Sequence, residues 1–352
     1  MNRLPHSEFD PLLDGRGRPL RDLRISVTDR CNFRCTYCMP EEVFGERYEF
    51  LPRDEILSFE EILRLTRLMV PLGVSKIRIT GGEPLLRHDL PRLIEGLRAT
   101  EGVEDIALTT NGTLLKRMAG HLRRSGLSRL TISLDSLDPE IFRQMNGGKL
   151  VVEKVLEGLQ TATEVGFEGI KLNCVVQKGV NDHTLVELAR YAREHGHIVR
   201  YIEYMDVGTR NAWDLEHVTT GDEIVSQIGQ AFPLEPAAPH YRGEVARRYR
   251  YRDGVGEMGV ITSVSEPFCG DCSRVRLTTG GELMTCLFAS QGTDLRGPLR
   301  AGASNEVLRD LIRGAWSTRR DRYSEERGGV VRDVGDSAAR RDGRIEMYQI
   351  GG

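Results

Sequence analysis

Apolar positions along the first two thirds of the chain follow two rhythms, and their alternation sets the expected architecture. Short aliphatic runs at Leu23–Val27, Lys76–Thr80, Ile106–Thr110, Arg129–Leu134, Ile170–Val176 and Ile198–Tyr204 read as strands. Between them apolar residues recur at helical spacing. The clearest case begins at Ser58, where Glu61 completes a capping box and Ile62, Leu65 and Met69 share one face before Gly73. Further helices are expected near 90–99, 113–124, 152–165 and 183–195. A helix between successive strands carries the chain back to the same end of the sheet, so the strands run parallel. The pattern predicts an α/β fold, an incomplete (β/α)6 TIM-like barrel.

Outside that stretch the rhythm changes. Residues 1–22 hold Pro5, Pro11, Gly15, Gly17 and Pro19 without periodicity and read as an extended N-terminal arm. After Met205 a segment rich in Gly, Pro and charge leads to short strands near 247–252 and 258–265. A hairpin of Val275–Thr278 and Glu282–Cys286 is expected to turn at Gly280-Gly281. The expected division is therefore an arm over 1–22, a partial barrel over 23–210, and a smaller β-containing C-terminal domain over 211–352 that closes the barrel mouth.

In such a barrel, chemistry gathers at the carboxyl ends of the strands. Arg78 and Thr80, Thr109 and Thr110, Ser133 and Asp135, Lys171 and Asn173, and Arg200 and Glu203 sit in or just past those strands.

Charge narrows the choice of partner. With 49 basic and 52 acidic residues and a net charge of -3, the 352-residue chain carries no global field for nucleic acid or an anionic membrane. Twelve arginines between Arg296 and Arg344 are interleaved with acids, which favours a solvated mixed-charge surface. Neither a signal peptide nor an eighteen-residue apolar run is present, so a cytoplasmic location is expected.

Six of the seven cysteines fall in two groups, Cys31/Cys35/Cys38 and Cys269/Cys272/Cys286, a usage that suits metal ligation in a reducing compartment. Cys174, alone in an apolar run, reads as a small core residue. C-x3-C-x2-C can hold three irons of a cubic cluster while leaving one iron open to a ligand. The second group, C-x2-C followed by thirteen residues and Cys286, likewise lacks a fourth thiol. Zinc is the alternative for either group, although a zinc ribbon calls for a second C-x2-C or a histidine pair. Arg274 and Arg276 alternate on a strand beside the second group and project from one face. Thr80-Gly81-Gly82-Glu83-Pro84 follows a strand directly. Its glycines would let the backbone approach a ligand, and Glu83 could accept from an ammonium group.

Together, C-x3-C-x2-C with Tyr37 between its last cysteines and the Gly81-Gly82-Glu83-Pro84 turn resemble the radical S-adenosylmethionine superfamily. Within it, five further stretches are similar to the GTP 3′,8-cyclase family of molybdenum cofactor biosynthesis. They are Asp22–Arg30, Arg78–Pro84, Tyr201–Gly208, the second cysteine triplet and the terminal Gly351-Gly352. The resemblance implies two [4Fe-4S] clusters, on Cys31/Cys35/Cys38 and on Cys269/Cys272/Cys286, with S-adenosylmethionine at the first. It implies cofactor contacts at Tyr37, Gly82, Ser133 and Met205. It implies a GTP site of Arg24, Arg78, Thr109, Lys171, Arg274 and Arg276, with Lys76 and Arg200 as further basic candidates. The implied reaction converts GTP to 3′,8-cyclo-7,8-dihydro-GTP through a 5′-deoxyadenosyl radical, with no protein acid or base. Its implied partners are a second copy of the chain and cyclic pyranopterin monophosphate synthase, with the terminal glycines reaching the active site. Ser273 departs from the asparagine usual in the family, and residues 211–257 align with no functional pattern. Two alternatives stand beside this reading: a radical enzyme that modifies peptides with an auxiliary cluster, and a zinc-ribbon module that grips nucleic acid.

Overall fold

The computed structural model describes residues 11–208, 213–330 and 345–351. Its centre is a parallel set of β1 (Asp22–Ser26), β2 (Lys76–Thr80), β3 (Asp105–Thr110), β4 (Arg129–Ser133), β5 (Lys171–Val176) and β6 (Ile198–Glu203), hydrogen-bonded in chain order. The sequence dictates which face of each strand is dry. In β2, Ile77 and Ile79 are buried while Lys76 and Arg78 alternate with them; in β5, Leu172, Cys174 and Val176 are buried while Lys171 and Asn173 alternate. Side chains on a strand point to opposite faces in turn, so one face packs against helices and the other presents polar groups to a cavity. Cys174 is fully buried among the apolar residues, as its surroundings in the sequence suggest.

The helices that cover the dry face start and stop where local chemistry directs. Ser58 Oγ accepts from the Glu61 amide at 3.1 Å and the Glu61 carboxylate accepts from the Ser58 amide at 2.7 Å, opening helix Phe59–Met69. That helix buries Ile62, Leu65, Leu68 and Met69. Beyond it the chain passes Gly73 at φ +115°, where a Cβ would lie 2.6 Å from the Leu20 carbonyl oxygen. Only glycine lets the arm pass so close.

The C-terminal residues extend this same sheet at both ends. β7 (Leu234–Ala237), β8 (Arg247–Tyr251) and β9 (Glu257–Ile261) form an antiparallel run whose last strand pairs parallel to β6, Arg200 opposite Gly259. At the other end β10 (Arg274–Leu277), β11 (Glu282–Met284) and β12 (Thr293–Asp294) are antiparallel, and β10 pairs parallel to β1 with Arg276 opposite Arg24. The sheet therefore has twelve strands in the order β12-β11-β10-β1-β2-β3-β4-β5-β6-β9-β8-β7. Two strand pairings cross the division expected at 210/211, so the arm, partial barrel and C-terminal unit stand as a proposal about chain segments.

The extended arm is pinned over residues 11–20: Leu12 and Leu20 donate their amides to Leu72 and Leu12, and Arg18 and Leu20 are buried. Two local expectations change. The segment read as Gly, Pro and charge holds helix Gly221–Ala231, opened by a Thr220–Glu223 capping box, and then β7. β11 stops at Met284, so Cys286 lies in the turn beyond the strand. The turn between β10 and β11 is at Gly280-Gly281, with Gly281 at φ +89°.

Candidate functional site

β1 runs through Thr28–Arg30 into the first cysteine loop. Cys38 and Met39 donate their amides to the Cys35 carbonyl at 3.0 and 2.8 Å, and Arg34 Nη1 donates to the Cys31 carbonyl at 2.8 Å, curling the loop on itself. Cys31, Cys35 and Cys38 are half-buried. Burial, then Glu83, pushes the Cys31 thiol up to about 12. Burial followed by Asp135, Cys31 and Cys38 drives Cys35 well above its ordinary range, and burial with Cys31 and Glu346 does the same to Cys38. Three thiolates this close and this dry need cations between them, which is the chemistry of a thiolate-ligated iron cluster. Among the described residues no three His, Cys, Asp or Glu side chains surround a single-ion position. The thiolates of a cubic cluster are spread over separate irons and need no such common point.

The glycine turn braces this loop from below. Gly81 stands at φ +145°, and a Cβ on Gly82 would run into the Arg30 carbonyl, so the close approach that demands glycine is to the chain just before the cysteines. Glu83, expected to meet an ammonium group, instead turns inward. Its oxygens accept from the Leu85 amide at 2.9 Å, Thr110 Oγ1 at 2.7 Å and the Asn111 amide at 2.7 Å. Burial raises it to about 7 in spite of those three donors.

Tyr37 packs with Met145, Tyr204 and Trp213 and donates its hydroxyl to Asp135 Oδ2 at 2.8 Å. Asp135 Oδ1 accepts from the Val175 amide at 2.9 Å, yet burial lifts the carboxyl to about 6. Tyr37 and Met205 line a cavity of about 1730 Å³, solvent at its mouth included. Gly82, Ser133 and Lys171 do not line it; Ser133 closes β4 opposite Asn173, which does.

The far side of the same cavity is made by Cys269, Cys272 and Cys286. Cys272 Sγ receives Arg274 Nε and Nη2 at 3.3 and 3.2 Å and Arg319 Nη2 at 3.2 Å. Burial opposes ionisation of Cys272, but Arg274 and Arg319 overcome it and bring the thiol down to about 6. Cys286, governed by burial, rises to about 11. The donor set again fits an iron–sulfur group, with one thiolate favoured in advance.

Between the triplets the strands align a row of cations. Arg276, Arg24, Arg78, Ala107 and Arg129 are register partners across β10, β1, β2, β3 and β4. Adjacent strands are only about 4.8 Å apart, so the guanidinium groups of Arg276, Arg24 and Arg78 are stacked side by side. Burial and then Arg276, Arg78 and Arg274 hold Arg24 well below its ordinary value. Burial with Arg200 and Arg129 brings Arg78 to about 10, and burial with Arg274 brings Arg276 to about 10. Lys171 falls to about 7 from burial, Arg200, Arg129 and Arg78. A set of buried like charges is stable only with anions among them, and a polyphosphate supplies several. Thr109 accepts from Arg78 Nη1 at 3.0 Å, so it orients that guanidinium.

Sequence reasoning missed five contributors. Thr131 shares the Arg78 contact with Thr109 at 3.1 Å. Arg129 lines the cavity and pairs with Asp105. Tyr241 lies beneath Lys76, whose Nζ is 3.4 Å from the ring centroid. Arg319 and Arg18 donate to the Cys272 and Cys269 carbonyls at 2.7 and 2.8 Å. Elsewhere the C-terminal arginines are locally paired, Arg242 with Asp271, Arg247 with Asp222 and Glu266, and Arg300 with Glu61, which leaves them poorly suited to gripping phosphates of a duplex.

Comparison with known proteins agrees with this division of labour. The Radical SAM superfamily model matches residues 25–192, and the Molybdenum Cofactor Synthesis C model matches residues 197–325. The GTP 3′,8-cyclase of Acidothermus cellulolyticus is 50% identical, covering 97% of this chain and 99% of its own length. The chain belongs to the GTP 3′,8-cyclase family. Another GTP 3′,8-cyclase, from Xanthomonas campestris, is 48% identical over 99% of this chain and all of its own, and one from Staphylococcus epidermidis is 46% identical over 96% and 98%. Streptococcus suis SuiB, solved with S-adenosylmethionine bound, aligns at a TM-score of 0.57 and 16% identity over 84% of this chain and 68% of its own, a likeness of fold. No described helix of this GTP 3′,8-cyclase family member is long and apolar enough to cross a membrane.

Proposed function

We propose that the chain converts GTP to 3′,8-cyclo-7,8-dihydro-GTP in molybdenum cofactor biosynthesis. The observation that carries this reading is one cavity bordered by Tyr37 of the first cysteine loop, by Met205 just past β6, by all three cysteines of the second triplet, and by Arg24, Arg78, Arg274 and Arg276. Cys31, Cys35 and Cys38 hold one [4Fe-4S] cluster and Cys269, Cys272 and Cys286 the other, each leaving an iron open. S-adenosylmethionine, when bound at the first cluster, supplies the radical that removes hydrogen from the ribose.

The chain's own part is binding, orientation and exclusion of water. Tyr37, Gly82, Ser133 and Met205 position the cofactor. Arg24, Lys76, Arg78, Thr109, Lys171, Arg200, Arg274 and Arg276 hold GTP, and a triphosphate favours the charged form of Lys171 that burial, and then its cationic neighbours, oppose. Gly351 reaches the same site through its carbonyl contact with Arg276, and Gly352 lies outside the described residues. The enzyme works in the cytoplasm as a homodimer and hands its product to cyclic pyranopterin monophosphate synthase.

The test is an anaerobic incubation of reconstituted protein with GTP, reductant and S-adenosylmethionine. Deoxyadenosine and a cyclised nucleotide should appear in step. Deoxyadenosine that forms only when a peptide replaces GTP would assign the chemistry to the peptide alternative.

A further inference from the structure

The second triplet is gripped at the cavity wall by an ion network of Arg18, Arg319 and Asp321 that the reaction, as described, does not use. Arg319 is its centre, with a side chain that is 1% exposed. Its Nη1 donates to the Cys272 carbonyl at 2.7 Å and lies 3.5 Å from Asp14 Oδ2, its Nη2 meets Cys272 Sγ at 3.2 Å, and its Nε meets Asp321 Oδ2 at 3.3 Å. The guanidinium carbon sits 4.5 Å from the Trp316 ring centroid, and Trp316 is itself fully buried. Arg18 extends the network. It binds Asp14 at 2.6 Å and donates to the Cys269 and Asp321 carbonyls at 2.8 Å each. Each nitrogen of the Arg319 guanidinium thus has a partner, and one of those partners is a sulfur.

The three sulfurs are not treated alike. The described hydrogen bonds bring three arginine N–H groups to Cys272 Sγ, from Arg274 and Arg319, whereas Arg18 reaches only the carbonyl of Cys269. A hydrogen bond and a positive charge at a ligating thiolate stabilise the more negative, reduced form of an iron–sulfur cluster and raise its potential. Arg274 also belongs to the cationic row that faces the substrate space. Arg319 lines the cavity but is no register partner in that row, and its contacts run to the cysteine loop, the arm, Asp321 and Trp316.

We propose that Arg319 is a positioning residue of the second triplet that fixes the Cys272 sulfur and raises the reduction potential of the cluster held there. The proposal rests on the reading of Cys269/Cys272/Cys286 as cluster ligands. It assigns the N-terminal arm a role too, since Asp14 orients Arg319 as Arg18 steadies the neighbouring ligand.

The experiment compares the anaerobically reconstituted full-length protein with its Arg319→Gln and Arg319→Lys variants. Iron counts come first, then a redox titration followed by electron paramagnetic resonance. The native protein should hold about eight irons. Arg319→Gln should shift the second cluster's one-electron reduction equilibrium about tenfold toward oxidation, which is about 59 mV lower in potential. The first cluster should not move, and Arg319→Lys should recover part of the shift. Selective loss of the second cluster's irons from Arg319→Gln, with retention in Arg319→Lys, also supports the assignment. An unchanged second potential at full iron content overturns it, as does equal loss of iron from both clusters, which marks a purely structural arginine. About four irons in the native protein would instead overturn the ligand reading on which it rests.

Discussion

Gly351 stands against Thr80, the last residue of β2, with its carbonyl oxygen accepting from the Arg276 guanidinium. The terminus is delivered there by Tyr348, buried among Phe44, Tyr48 and Phe50, whose hydroxyl meets that of Tyr48 at 2.5 Å. At φ +70° and with a Cβ that would strike the Thr80 methyl, position 351 has room for glycine alone. Gly351→Ala should leave the iron content intact and lower turnover about tenfold, ~1.4 kcal/mol in barrier. Thr80→Ala in the same chain should recover part of the loss, and failure to recover any would show that crowding is not the cause.

Arg24 tests the cation row. Its like-charged neighbours Arg276, Arg78 and Arg274 make the empty site electrostatically strained. Arg24→Met should therefore unfold at a temperature no lower than the native protein in the absence of nucleotide, while the KM for GTP rises by about tenfold or more. The thermal stabilisation that GTP confers on the native protein should shrink in the variant, since a ligand stabilises in proportion to its affinity.

Tyr37→Phe removes the hydroxyl that meets Asp135 at 2.8 Å. A buried carboxylate that loses one donor costs about 1–3 kcal/mol. Denaturant unfolding should show that loss, and the cysteine loop should still assemble its cluster because none of the ligands has changed. A variant as stable as the native chain would mean that water replaces the tyrosine.

His197 gives the molecule a pH dependence remote from the site. Burial, and then the neighbouring His195 ring, lower it from 6.5 to about 4. The unfolded chain takes up this proton below pH 6.5 and the folded chain only near 4, so stability falls as the pH drops through that window and is unaffected above it. His197→Asn should flatten the slope of the urea midpoint between pH 6.5 and 4. An identical slope in both proteins would place the acid sensitivity elsewhere.

The parallel strands were legible because each is a short aliphatic run with a helix-length interval on either side. Lys76–Thr80 shows why: alternation of apolar and basic residues announces both the strand and its wet face. Helix Gly221–Ala231 carried a readable signal in Thr220 and Glu223 that was lost in the surrounding glycine and charge. Arg129, Tyr241 and Arg319 had no local signal. Each matters only because register or packing sets it beside Ala107, Lys76 or Cys272, and such neighbours are far away in the chain. Glu83 shows the opposite case: the motif was visible, but the donors Leu85, Thr110 and Asn111 that its carboxylate meets were not.

The placement of β9 and β10 also bears on how the protein is made. β1 and β6, the outer strands of the parallel set, find their final partners only in β10 and β9. A nascent chain that has emerged through β6 thus presents two bare sheet edges, each a template for pairing with another chain. Closing β1 against β10 spans about 250 residues, so the rate of maturation is governed by non-local contact. During synthesis this is a protein that depends on chaperones or on speed, and chains interrupted between β6 and β9 are the ones expected to aggregate.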